Sequence, residues 1–152
     1  MSTNERFTYD GLFKISFDLP ANIYTYDDIK NPLGVSAEVA NALHGKVTDP
    51  RVLEYKFCLD GLVEDFDSQD KNIKDIDLCI VWSTGELYKE RYGICSLLVP
   101  ENYDQRQYHG VTHTLTDIET GGKHCDLIVL SELIESLNQP AETAVKQREK
   151  YD

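Results

Sequence analysis

The stretch 51–82 constrains the fold more than any other part of the chain. Residues 51–58, Arg-Val-Leu-Glu-Tyr-Lys-Phe-Cys, read as a β-strand. Leu59, Leu62, Val63 and Phe66 follow at i, i+3, i+4 and i+7, the spacing of one helical face. Residues 76–82 are then almost continuously apolar, interrupted only by Asp77, as in a central strand covered on both faces. A helix between two such strands is a crossover, and crossovers join parallel strands. The expectation is an α/β protein with a sheet of mixed direction, in which these two strands are adjacent and parallel.

The flanking segments add strands and loops to this unit. Residues 7–17 alternate, with Phe7, Tyr9, Gly11, Phe13, Ile15 and Phe17 on one side and Thr8, Asp10, Lys14, Ser16 and Asp18 on the other. Period two predicts a half-buried strand, or two strands turning at Asp10-Gly11. Residues 19–35 carry loop chemistry, and Ser36 is placed to cap a short helix closed by Gly45. A strand or short helix is expected over 91–99 and strands over 111–119 and 124–130, with a turn at Gly121-Gly122. Ser131 is read as the cap of a last helix through Leu133, Ile134 and Leu137. One domain over 7–138 and a charged C-terminal tail over 139–152, from Pro140 onward a frayed helix or tail, complete the reading, as suits 152 residues.

Charge narrows the classes of function. Fifteen Lys and Arg against twenty-seven Asp and Glu leave a net charge of −12. A broad surface that tracks phosphates needs clustered cations, so DNA is disfavoured as an unaided partner. A nucleic-acid role then needs a local basic strip, a metal bridge or a partner domain. No apolar run approaches the ~18 residues of a membrane span. The first residues, Met1-Ser2-Thr3-Asn4-Glu5-Arg6, lack the basic and apolar blocks of a signal peptide. Cys58, Cys79, Cys95 and Cys125 form no Cys-x-x-Cys pair, and Cys79 and Cys125 read as buried strand residues without disulfides. The localisation expected is cytoplasmic, with no membrane partner.

Glu54 and Lys56 stand at i and i+2 of a strand and so share a face, with Leu53, Tyr55 and Phe57 packing on the other. A carboxylate beside an ammonium suits metal-assisted phosphodiester hydrolysis, the carboxylate holding Mg²⁺ and the lysine orienting water or offsetting charge. Asp10, on the polar side of the first strand, is the second acid. The same spacing also describes a solvated strand face with a cross-strand ion pair. His109 and His113, four apart on a strand, sit ~13 Å apart and cannot share a metal. His113 alone is either a site residue or a hydrogen-bonded structural histidine; His44 and His124 read as surface residues. The acids from Asp60 to Asp77, among only Lys71 and Lys74, read as a solvated helix face, with Asp77 able to approach the Glu54 end of the sheet.

Tyr9-Asp10-Gly11-Leu12-Phe13, Leu53-Glu54-Tyr55-Lys56 and the run from Asp75 to Trp82 together resemble the PD-(D/E)XK restriction-endonuclease-like fold. More narrowly, with Gly110-Val111-Thr112-His113 and the run from Leu127 to Ile134, the chain is similar to the nuclease-like domain C-terminal to bacterial gyrase/chaperone-type (GHKL) ATPases. The resemblance implies a restriction-endonuclease-like mixed β-sheet flanked by helices. It implies a metal site made of Asp10, Glu54 and the Tyr55 backbone oxygen, Mg²⁺ as cofactor, and Lys56 as catalytic lysine. The superfamily usually has a helix before the first acid, often bearing another carboxylate, and only nine residues precede Asp10. The chain is then a fragment of a longer protein or has lost that helix. The function expected is a Mg²⁺-dependent phosphodiesterase acting on DNA, one module of an ATPase-linked defence or repair protein. The alternatives are a catalytically silent module packing on an ATPase domain, a protein partner or a homo-oligomer mate, and an acidic decoy that mimics DNA.

Overall fold

The computed structural model describes residues 9–151. Among them are the strands β1 (Gly11–Phe13), β2 (Arg51–Cys58), β3 (Leu78–Ser83), β4 (Tyr92–Ser96), β5 (His113–Asp117) and β6 (Lys123–Val129). The α-helices are α1 (Ala37–Leu43), α2 (Leu59–Asp67), α3 (Leu130–Asn138) and α4 (Pro140–Tyr151). The strands form one mixed sheet in the order β1-β2-β3-β6-β5-β4, flanked by helices. As the sequence predicts, β2 and β3 are adjacent and parallel, with α2 between them in the chain. β6 adds a third parallel strand, while β1, β5 and β4 pair antiparallel to their neighbours.

Register decides which side chains meet. Glu54 lies beside Cys79 and Lys56 beside Val81, and these in turn lie beside Leu127 and Val129. That is the face that α2 covers, where Leu59, Leu62 and Val63 pack on Cys79, Val81, Leu115, Leu127 and Val129. Each such side chain, fully buried, contributes ~1.5–3 kcal/mol. The sequence reading put Leu53, Tyr55 and Phe57 on the packed face; the structure reverses this. Glu54 is 0% exposed, whereas Tyr55 is 54% and Phe57 78% exposed. The reason is the short strand-to-helix passage at Cys58-Leu59, which lays α2 over the side of β2 that carries Glu54 and Lys56.

Three further segments differ from expectation. The alternation over 7–17 yields only the three residues of β1; Phe7 and Thr8 lie outside the described residues. Beyond β1 the chain joins an irregular layer, with Phe17, Val35 and Ala40 as its own small core. In that layer Ser36 caps α1 as expected, its hydroxyl accepting from the Val39 N–H at 3.3 Å. Ser131, by contrast, does not cap α3: its hydroxyl donates to the Trp82 carbonyl at 2.6 Å, and the helix starts from Val129.

The third segment is 140–151, expected as a frayed helix or tail outside the domain. It forms α4, with Thr143, Ala144 and Gln147 buried. Gln147 is the link: its amide donates to Glu132 of α3, and its carbonyl oxygen accepts from Ser96 and lies 2.6 Å from His113. This network turns the polar side of α3 inward, so Glu132 and Ser136 are buried while Ile134 and Leu137 are exposed.

The irregular layer is fastened to the sheet by Arg106, fully buried with no carboxylate among the described residues paired to it. Its guanidinium donates to the carbonyls of Leu97 (2.6 Å), Val111 (2.7 Å), Gly34 (2.8 Å) and Pro32 (3.2 Å). All four cysteines are free, with Cys79 and Cys125 buried as predicted. No helix among the described residues is long and apolar enough to cross a membrane.

Candidate functional site

β1 pairs with residues 51–53 of β2, and among the described residues no strand lies beside the next part of that edge. Asp10, the residue before β1, takes over that edge with its side chain. Its Oδ2 accepts from the Tyr55 N–H at 2.7 Å, and its own N–H donates to Glu54 Oε1 at 3.1 Å. The two acids are thus tied together through main-chain groups. A strand residue sends its N–H and C=O to the same edge, so the Tyr55 carbonyl also faces the Asp10 side.

Lys56, two residues on, lies along α2, its Cδ 3.6 Å from where a Cβ on Gly61 would stand. Its ammonium reaches Asp65 Oδ2 at 2.8 Å. The same Asp65 oxygen is 3.2 Å from the ammonium of Lys71, which also contacts Glu54 Oε2. Lys71 comes from the turn after α2. There Asp70 and Lys71 donate their N–H groups to the Asp65 carbonyl, and Gln69 takes a left-handed φ of 65°. Tyr9 holds the far end of the turn: its hydroxyl accepts from the Asn72 N–H at 3.1 Å and donates to Asp75 at 2.8 Å. Asp10, Glu54, Asp65, Lys56 and Lys71 therefore form one chain of contacts beside β2.

The electrostatics separate the two adjoining acids. Burial pushes the Glu54 carboxyl up, and the neighbouring Asp10 adds to this, outweighing Lys71. Asp10 is exposed; slight burial raises it, but the Tyr55 N–H, the Glu54 contact and the lysines hold it below the ordinary carboxylate range. Asp65 is likewise held low by Lys56 and Lys71 against a small burial effect. Lys71 is held up by Glu54 and Asp65 although its burial acts the other way. Cys79, next to Glu54 across the sheet, is pushed up to about 12 by burial and then by that carboxylate.

Of the residues singled out in the sequence, the structure brings together Asp10, Glu54, the Tyr55 main chain and Lys56. It does not bring Asp77, which accepts from the Val52 N–H at 2.7 Å and starts β2 rather than joining the site. His113 is a structural histidine, fully buried between Thr112 and Gln147. His109 is 2.7 Å from Asn31 Oδ1, away from both. A groove of about 890 Å³ between β4 and α4 shares no lining residue with the Asp10–Glu54 cluster. Asp65 and Lys71 are functional candidates that the sequence reading left on a solvated helix face. Their one sequence signal is that Lys71, with Lys74, stands in a run of acids.

Among the described residues no group of three or more His, Cys, Asp or Glu side chains is arranged to hold a metal. The cluster instead offers two adjoining carboxylates and a carbonyl on one edge, all hard oxygen donors. Mg²⁺ characteristically takes one or two carboxylates and completes its shell with water and substrate phosphate. A cation is already accommodated against Glu54, in the form of the Lys71 ammonium. Compared with protein-family models, with curated proteins and with solved structures, the chain matches none.

Proposed function

We propose that this chain is a Mg²⁺-dependent phosphodiesterase acting on DNA, built on a restriction-endonuclease-like fold and working in the cytoplasm beside an ATPase domain. The observation that carries the reading is the linkage of Asp10 to Glu54 and, through Lys71 and Asp65, to Lys56 beside β2, within a parallel strand–helix–strand frame. Asp10, Glu54 and the Tyr55 carbonyl would hold the metal. When bound, Mg²⁺ supplies Lewis-acid charge for the scissile phosphate and acidifies water. Lys56, on the same strand face as Glu54, brings an ammonium to the phosphate and steadies the negative charge that grows on it as water attacks. Asp65 holds Lys56 in that direction. The cluster sets only Lys56 and Lys71 against Asp10, Glu54 and Asp65, so the metal has to supply the positive charge that a phosphate backbone needs.

The test is cleavage of plasmid and single-stranded DNA with Mg²⁺, with Mn²⁺ and with EDTA. The wild-type chain should cut with either metal and not with EDTA. Lys56→Ala should abolish cutting while melting close to wild type, since a partly exposed ion pair is worth only ~0.2–1 kcal/mol. Wild-type protein that neither cleaves DNA nor binds Mg²⁺ would favour a second reading, a silent module of the same fold. The observation behind that reading is the Lys71 ammonium seated on Glu54.

A further inference from the structure

We propose that Lys71 is the resident cation of this site, and that a divalent metal enters by displacing its ammonium from Glu54 onto Asp65. The inference rests on the metal-site reading above and concerns how that site is filled. Glu54 is fully buried with Asp10 beside it, an arrangement that needs a counter-charge. The side chain of Lys71, 13% exposed, supplies that charge directly on Glu54 Oε2. A Mg²⁺ ion bound to the same carboxylate would sit ~2.1 Å from an oxygen, and two cations cannot share that position.

The exit route is present in the structure. The ammonium already lies 3.2 Å from Asp65 Oδ2, so on leaving Glu54 it keeps one carboxylate partner. Lysine suits such an exchange better than arginine. Its ammonium is a point charge on a flexible stem and gives up one oxygen without breaking a two-pronged geometry. Charge balance agrees with the sequence of events. Asp10, Glu54 and Asp65 against Lys56 and Lys71 leave the cluster one formal negative charge. A divalent ion turns this to one positive charge, the complement of a single phosphodiester. The metal-free site therefore repels the DNA backbone, and the loaded site accepts it.

Calorimetric titration with MnCl₂ tests this on the wild-type chain, Lys71→Met, Lys74→Met and Glu54→Gln. Lys74 is exposed and its replacement removes the same charge without touching Glu54. Lys71→Met should bind Mn²⁺ about tenfold tighter than wild type or more, the weight of one charge-assisted contact. Lys74→Met should match wild type, and Glu54→Gln should lose binding. In the wild-type chain, saturating Mn²⁺ should also speed amide exchange at 69–72, as the turn loses its hold on Glu54. Equal affinities for wild type and Lys71→Met, with binding still lost in Glu54→Gln, would overturn the role of Lys71 and leave the metal site standing. Weaker binding by Lys71→Met, or unchanged exchange at 69–72, would overturn it too. No binding by either protein would overturn the metal site itself, and this inference with it.

Discussion

Acid should destabilise this protein through one residue in particular, His113. Burial is the main cause: with no exposed surface, the imidazole is lowered from 6.5 to about 4, more than nearby Glu132 and Gln147 restore. The neutral ring is fully satisfied. The Gln147 carbonyl oxygen, 2.6 Å from Nε2, also accepts from Ser96, so Nε2 carries the proton, and the Thr112 hydroxyl faces Nδ1 at 2.7 Å. Above pH 6.5 neither the folded nor the unfolded chain holds the extra proton, and the full stability is present. As pH falls toward 4 the unfolded chain takes a proton that the folded chain refuses, so stability drops by ~1.4 kcal/mol per pH unit. Across the window from 6.5 to about 4 the loss is about 3 kcal/mol, and below it the curve flattens. Urea unfolding, followed by circular dichroism at half-unit steps from pH 4 to 7.5, measures it. His113→Gln keeps a donor for Gln147 but cannot titrate, so the difference between the two proteins isolates this residue from the carboxylates. Parallel curves for the two proteins across pH 4–6.5 would refute the reasoning.

Arg106→Lys should lower stability by about 3 kcal/mol or more in the same unfolding assay, because an ammonium cannot reach four carbonyls held in a guanidinium fork and leaves some of them buried and unpaired. Restraint of the 32–34 segment should be lost first, visible as faster amide exchange there than in β3. A thiol titration on denatured, unreduced protein should return four thiols, with Cys79 and Cys125 reacting only after unfolding.

The parts of the fold legible in the sequence are those where hydrophobic period and burial coincide. The apolar run of β3 and the helical spacing of Leu59, Leu62, Val63 and Phe66 each have one interpretation, and their order dictates a parallel pair. The packing of α4 is hidden for the opposite reason. Its buried positions include Thr143 and Gln147, held by hydrogen bonds to other elements, so no apolar stripe marks it. α3 misleads in the same way, since Leu133, Ile134 and Leu137 suggest an inward face while Glu132 takes that place. At the site, the spacing of Glu54 and Lys56 correctly puts both on one side of β2. Which side is covered depends on where α2 lands, and no local pattern records that. Lys71 arrives through a turn, and ion pairs have no period, so only the fold reveals it.

The hydrogen bonds joining Asp10 to Glu54 and to the Tyr55 N–H have a consequence for the arithmetic of substitution. The Asp10 carboxylate anchors its own main chain to Tyr55, and that main-chain N–H in turn holds Glu54, so losing the Asp10 carboxylate loosens the seat of Glu54. In a double-mutant cycle on unfolding free energy, Asp10→Ala and Glu54→Ala would be far from additive, the second change costing little once the first is made. Selection acting on such a pair cannot grade its parts separately. A lineage in which one of the two acids became dispensable would lose the reason to keep its companion, and the two should persist or vanish as a unit.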